Sequence, residues 1–167
     1  KRNCLLDRYP SYRIFKVSEL RTASPQAIAI VKATTPIIER HGIAIATVLY
    51  RRLFAHAGIA AMFEGAGQDS AERPRRLAAA ILAYARNIDT LHVLGPRVQQ
   101  VVARHVETGV KAEHYPFVAT ALLASLCEVL GDEIATDDML VAWDEAYWML
   151  ADILIAAESE QYGKLAA

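Results

Sequence analysis

Four of the chain's six prolines stand where a helix can begin, and that placement limits the fold more than any other feature. Proline has no N–H and clashes with the preceding turn, so a helix accepts it in its first turn and breaks at it elsewhere. Ser24-Pro25 reads as a cap followed by a first helical residue. Pro74 requires a helix that begins near 70–73, Pro96 opens another, and Pro116 marks a kink or late start within 112–130. Between these points apolar residues recur at helical spacing. Ile28, Val31, Thr35 and Ile38 mark a first helix up to Gly42. Ile45, Val48, Leu49, Arg52 and Leu53 mark a second, from Gly42 to about Ala57, with Tyr50 on a neighbouring face. A short helical turn is expected over 58–63, a loop over 64–70, and a helix through Leu77, Ile81, Tyr84 and Ile88. Gly109 is expected to end the helix that starts at Pro96. Thr136 caps the last helix, from Asp137 to about Tyr162, with two acids in its first turn where the helix dipole favours them. No segment reads as a strand and no internal repeat is found, so the expected fold is all-α with six or seven helices.

A chain of 167 residues that is 54% hydrophobic and 22% charged has the size and apolar content of one domain with a proper core. The formal net charge of -1 gives no reason to expect nucleic acid or anionic lipid as a partner. The longest apolar run, 117–127, is too short for a membrane span and reads as a core helix. Cys4 and Cys127 form no CxxC or zinc spacing, and a reduced compartment, the cytoplasm, is the simplest expectation. Residues 1–22 interleave basic side chains with apolar and aromatic ones. They read as an extension that packs a few aromatics against the body or makes a partner- or membrane-surface contact. Residues 164–167, Lys-Leu-Ala-Ala, resemble the start of a vector-derived tail, which leaves 23–163 as the domain proper.

One histidine stands apart. His105 shares a helical stripe with Val98, Val101 and Val102, so its ring is expected among apolar side chains and in need of a partner. A backbone carbonyl could satisfy it. His41, His56, His92 and His114 fall at expected helix ends or in loops and read as surface groups. Gly65-Ala66-Gly67 follows a helix and makes no phosphate-binding fingerprint.

The segments Val31-Lys32-Ala33-Thr34-Thr35-Pro36, Leu49-Tyr50-Arg51-Arg52-Leu53-Phe54, Tyr84-Ala85-Arg86-Asn87-Ile88, His114-Tyr115-Pro116 and Ala142-Trp143-Asp144-Glu145-Ala146-Tyr147 resemble, in order and spacing, the haem domain of bacterial flavohaemoglobins and their single-domain relatives. The resemblance covers 25–162. It implies a globin fold around one haem b, with His105 as the iron ligand and with Glu158 and Tyr115 as partners of its other ring nitrogen. It implies that Tyr50 offers its hydroxyl to a diatomic ligand on the opposite side, that Phe63 packs on the porphyrin edge and that Leu77 lies over the iron. Val101 and Val102 are expected to touch the same group. Taken from the residues alone, Glu158 could be a solvated terminal acid, and Tyr115, Phe63 and Leu77 plain core.

The chain departs from the family at Arg73, where a distal glutamine is usual; arginine there would donate to a ligand, pair with a haem propionate or turn to solvent. Trp148 replaces a small residue and Ala112 a proline. The activity implied is nitric oxide dioxygenation, in which nitric oxide and O2 give nitrate. Tyr50, His105, Tyr115 and Glu158 would be its catalytic set, and electrons would come from an attached or separate reductase using FAD and NADH. CO and cyanide are further expected ligands, and an oligomer is open. The rival readings are a non-catalytic oxygen carrier or reservoir, a haem-based gas sensor, and a haem-free helical protein.

Overall fold

A computed structural model describes residues 20–64 and 71–166. The stretch through residue 19, Cys4 included, and most of the expected 64–70 loop lie outside these. The described residues form seven α-helices: α1 Pro25–Ala33, α2 Thr35–Leu53, α3 Ala57–Met62, α4 Arg73–Arg86, α5 Gly95–Thr108, α6 Tyr115–Leu130 and α7 Asp137–Leu165. Short 3-10 turns at Leu91–Leu94 and Ala112–His114 lead into α5 and α6. The described residues contain no strand, and no helix among them is long and apolar enough to cross a membrane.

The local signals act as expected at most helix ends. The Ser24 hydroxyl accepts the Ala27 N–H at 3.1 Å and Thr136 accepts that of Met139 at 3.3 Å, each satisfying a donor that the first turn leaves unpaired. Gly109 closes α5 with φ at 78°. This turns the Val110 N–H onto the His105 carbonyl at 2.8 Å and the Gly109 N–H onto that of Val106 at 3.2 Å. The last helix continues to Leu165, past the expected end near Tyr162.

One expected boundary is wrong. The first break falls at Thr34, ahead of Pro36, and Gly42 lies inside α2. Thr34 hydrogen-bonds back to the Val31 carbonyl at 2.8 Å, and Pro36 sits in the first turn of the new helix. Gly42 serves packing instead. A Cβ added there would lie 3.3 Å from the Ala78 Cβ, so the missing side chain lets α2 and α4 come close. For the same reason His41 is a half-buried residue within α2 and not a helix-end group.

Two apolar clusters follow from this packing. The larger joins α1, α2, α4, α6 and the first half of α7 around Val31, Ile38, Ile45, Leu126 and Trp143, all nearly inaccessible to solvent. The smaller gathers Val102 of α5, Tyr115 of α6 and Ala151 and Leu154 of α7. Tyr147 and Leu150 of α7 pack against both. Helix α5 packs on α7, while α2 packs on α4 and α6. The site therefore draws on two bodies that α7 connects.

Trp143 illustrates how polar atoms are accommodated in the core. Its indole N–H donates to the Thr34 hydroxyl at 3.2 Å, and that hydroxyl donates onward to Val31. Thr34→Val would keep the shape but leave the Trp143 N–H buried without an acceptor, at a cost of about 1–3 kcal/mol. A lower urea midpoint for Thr34→Val, with Thr34→Ser near wild type, is the expected result.

Candidate functional site

The His105 ring is held by a carboxylate that few sequences would hide. Glu158 is 2% exposed, although it lies near the end of α7. Its Oε1 atom accepts twice: from His105 Nδ1 at 2.7 Å and from the Tyr115 hydroxyl at 2.6 Å. The Tyr115 oxygen lies 3.3 Å from the same ring nitrogen, so the three groups form a closed triangle. Burial and the adjacent Glu158 both push the Tyr115 phenol far above its ordinary pKa, so it stays a donor. Tyr115 is positioned in turn through its backbone carbonyl, which accepts the Tyr147 hydroxyl at 2.7 Å. The Tyr162 hydroxyl donates to the Val110 carbonyl at 2.8 Å and ties the end of α5 to α7.

This arrangement selects a tautomer. With Nδ1–H donated to Glu158, the lone pair of neutral His105 resides on Nε2, which contacts no donor or acceptor among the described residues. The ring is 30% exposed, and Val101, one turn earlier on the same side of α5, is 37% exposed. The expectation that all three valines share a buried stripe with His105 therefore fails at Val101. Val102 is 2% exposed, packed toward Tyr115 and Leu154, and only Val102 among the valines is fully buried.

A second group forms between α2, α3 and α4. The Tyr50 ring stacks on Phe54, with centroids 5.6 Å apart, and meets Phe63 edge to face at 6.1 Å; Phe54 and Phe63 are 5.1 Å apart. The Arg73 guanidinium lies over the Phe63 ring at 5.3 Å. Leu77, one turn further along α4, packs half-buried against the main cluster. Among the described residues Tyr84, Tyr115, Tyr147 and Tyr162 each donate their hydroxyl to a named acceptor, whereas Tyr50 has none. Burial raises the Tyr50 pKa, and the charges of Arg73 and Arg76 work against that rise.

The structure thus brings His105, Tyr115 and Glu158 together, and separately Tyr50, Phe63, Arg73 and Leu77. Phe54, Arg76, Tyr147 and Tyr162 belong to the site's framework without having been singled out. Phe54 was findable, being four residues from Tyr50 on one helix; the other three act through tertiary contacts. Trp148 packs edge to face on Tyr147 at 5.3 Å, with the Arg21 guanidinium 4.2 Å from its own ring. Arg21 also grips Asp152 through its backbone N–H at 2.9 Å, Nε at 2.8 Å and Nη2 at 2.6 Å. Burial works upward on the Asp152 pKa, but these bonds outweigh it and hold the carboxyl below its ordinary value.

The donor set narrows what the site can hold. No three His, Cys, Asp or Glu side chains gather to hold a bare metal ion among the described residues. A single imidazole with a fixed lone pair suits a metal whose other ligands arrive with it, as the four nitrogens of a porphyrin do. Val101 of α5 is exposed, and Tyr50, Phe63 and Leu77 are half-buried against the main cluster.

Comparison with known proteins agrees with this geometry. The Globin family profile matches residues 46–154. The chain is 47% identical over 135 residues to a flavohaemoprotein of Pseudomonas aeruginosa, covering 80% of this chain and 34% of that one. It is 45% identical over 141 residues to a flavohaemoprotein of Chromobacterium violaceum, covering 84% and 35%. The chain thus spans about a third of the length of these relatives. Among solved structures, an engineered carbene transferase whose Rhodothermus marinus parent is assigned as a nitric oxide dioxygenase superposes with a TM-score of 0.81 at 37% identity, over 87% of this chain and 100% of that one. A bacterial globin from Campylobacter jejuni gives 0.76 at 33%, over 84% and 99%. A Malassezia yamatoensis flavohaemoglobin with FAD and haem bound gives 0.70 at 26%, over 84% and 38%.

Proposed function

The chain belongs to the globin family, as a haem domain closely related to those of bacterial flavohaemoglobins and single-domain bacterial globins, and on that footing we propose that it converts nitric oxide and O2 to nitrate. The observation that carries this reading is the double acceptance by one oxygen of the buried Glu158. A simple oxygen store needs only an imidazole, whereas a buried carboxylate on its second nitrogen gives the ring partial imidazolate character and makes it a stronger electron donor. When bound, haem b supplies the site for O2 and the one-electron chemistry of the reaction.

The protein's residues divide the remaining work. His105 Nε2 would hold the iron, Glu158 fixes the ring and its tautomer, and the Tyr115 hydroxyl keeps the carboxylate from turning away. Tyr50 keeps a donor for the partly negative end of a diatomic ligand, and Phe54, Phe63 and Leu77 keep water from competing for it. The balance is NO + O2 + one electron giving nitrate, so each turnover consumes an electron that a reductase must provide. A partner module carrying FAD and fed by NADH fits the greater length of the flavohaemoprotein relatives.

The test is rapid mixing of the oxygenated ferrous protein with nitric oxide, followed by haem spectra and nitrate assay. Stoichiometric nitrate with oxidation of the haem is expected. Reversible oxygen binding without nitrate would leave a carrier or sensor and overturn the dioxygenase reading. In a separate displacement of bound O2 by CO, Tyr50→Phe should speed oxygen escape roughly tenfold or more, because a hydrogen bond to a charged acceptor contributes about 1.5–3 kcal/mol. An unchanged rate would remove Tyr50 from the ligand side.

A further inference from the structure

We propose that Arg21, from the segment ahead of α1, is a positioning residue for the iron ligand: it seats Trp148 against Tyr147 and so holds Tyr115, Glu158 and His105 in their triangle. The inference rests on the haem reading of that triangle and adds a determinant of how strongly His105 donates. Residues 21–24 run along α7 and are pinned to successive turns of it. Arg21 grips Asp152 through its backbone N–H at 2.9 Å, Nε at 2.8 Å and Nη2 at 2.6 Å. The Ala23 N–H meets the Met149 sulfur at 3.3 Å, and the Ser24 N–H donates to Glu145 at 2.8 Å. Asp144, Trp148 and Asp152 recur at every fourth residue and share one face of α7. The guanidinium held on Asp152 lies 4.2 Å from the Trp148 ring. Burial raises the Asp144 pKa, while the Arg21 charge and Trp148 work against that rise.

From Trp148 the contacts continue unbroken to the imidazole. Trp148 meets Tyr147 edge to face at 5.3 Å, and the Tyr147 hydroxyl donates to the Tyr115 carbonyl at 2.7 Å. The Tyr115 hydroxyl donates to Glu158 at 2.6 Å, on the oxygen that accepts His105 Nδ1 at 2.7 Å. A two-pronged, charge-assisted pair fixes the plane of a guanidinium, so Arg21 is a rigid seat for the half-buried Trp148 ring. Without that seat the indole has other rotamers open to it, and Tyr147 loses the ring at its back. Its hydroxyl then holds the start of α6 less firmly, the carboxylate faces Nδ1 less squarely, and the imidazole donates less to the iron.

The test uses the haem-loaded protein and reads the iron–histidine stretching frequency and the ferric–ferrous midpoint potential. Arg21→Ala should lower the frequency and raise the potential, each by part of the change that Glu158→Gln produces. Asp152→Asn, which weakens the grip without deleting a side chain, should move both the same way, and Arg21→Lys should restore most of the difference. Arg86→Ala removes an arginine paired with Glu39 at 3.0 Å elsewhere on the surface and should move neither. Trp148→Leu should reproduce the Arg21→Ala shift, and adding Arg21→Ala to it should change nothing further, because both act through one contact. Wild-type frequency and potential in Arg21→Ala and Asp152→Asn, whatever their stability, would overturn the proposal and leave the haem reading standing. A shift from Arg21→Ala that persists in full on the Trp148→Leu background would also overturn it. Absence of a Soret band in wild type after haem addition would overturn both.

Discussion

Replacing His105 with alanine is expected to leave a helical, folded protein whose haem affinity falls by more than about 100-fold. Loss of groups that merely support a metal ligand costs about 10–100-fold, and this change removes the ligand itself. The fold should survive because the ring is 30% exposed and its polar contacts are confined to Glu158 and Tyr115. Glu158 would keep the Tyr115 hydroxyl at 2.6 Å, so the carboxylate is not stranded. Far-UV circular dichroism should match wild type while the Soret band is lost or broadened. A normal ferrous haem spectrum in His105→Ala would place the iron ligand elsewhere.

The second large effect is expected at Glu158, where two substitutions separate charge from packing. Glu158→Leu removes the acceptor of both Tyr115 and His105 at a position 2% exposed. An unsatisfied buried donor costs about 1–3 kcal/mol; with His105 able to reach water, only Tyr115 is left without an acceptor, and a loss of about 1–3 kcal/mol in unfolding free energy is expected. Glu158→Gln retains an acceptor oxygen but not the charge, so most of the stability should remain. The imidazole would then lose electron density, and the iron–histidine stretching frequency should shift downward. An unshifted frequency in Glu158→Gln would reduce Glu158 to a structural group and remove the main support for the dioxygenase reading.

These residues show what a sequence can and cannot disclose. Helix starts at Pro25, Pro74, Pro96 and Pro116 and the stop at Gly109 were legible because each acts on its own backbone within one turn. Gly42 was misread as a helix end because its role is a contact with Ala78 on another helix, which no local pattern encodes. Periodicity put Val101 on the His105 face of α5 but could not tell what lies opposite it, where the side chain is exposed. The His105, Tyr115 and Glu158 set was legible through family resemblance; spacing alone would have left Glu158 in solvent. Tyr147 stayed invisible because it acts on a backbone carbonyl, which leaves no complementary side chain to notice. Arg73 was visible as a departure from the family, but its place over Phe63 was not.

Helix α7 carries Trp143, anchored in the main cluster, and Glu158, fifteen residues further on, on the same rod. At 1.5 Å per residue the two are about 22 Å apart, so a tilt of about 3° at the tryptophan would swing the carboxylate by roughly 1 Å. That displacement would break a 2.7 Å hydrogen bond. The helix is in mechanical terms a lever: small errors in core packing are magnified at the imidazole. Variants far from the pocket that loosen the Trp143 seat should therefore detune the iron before they unfold the protein.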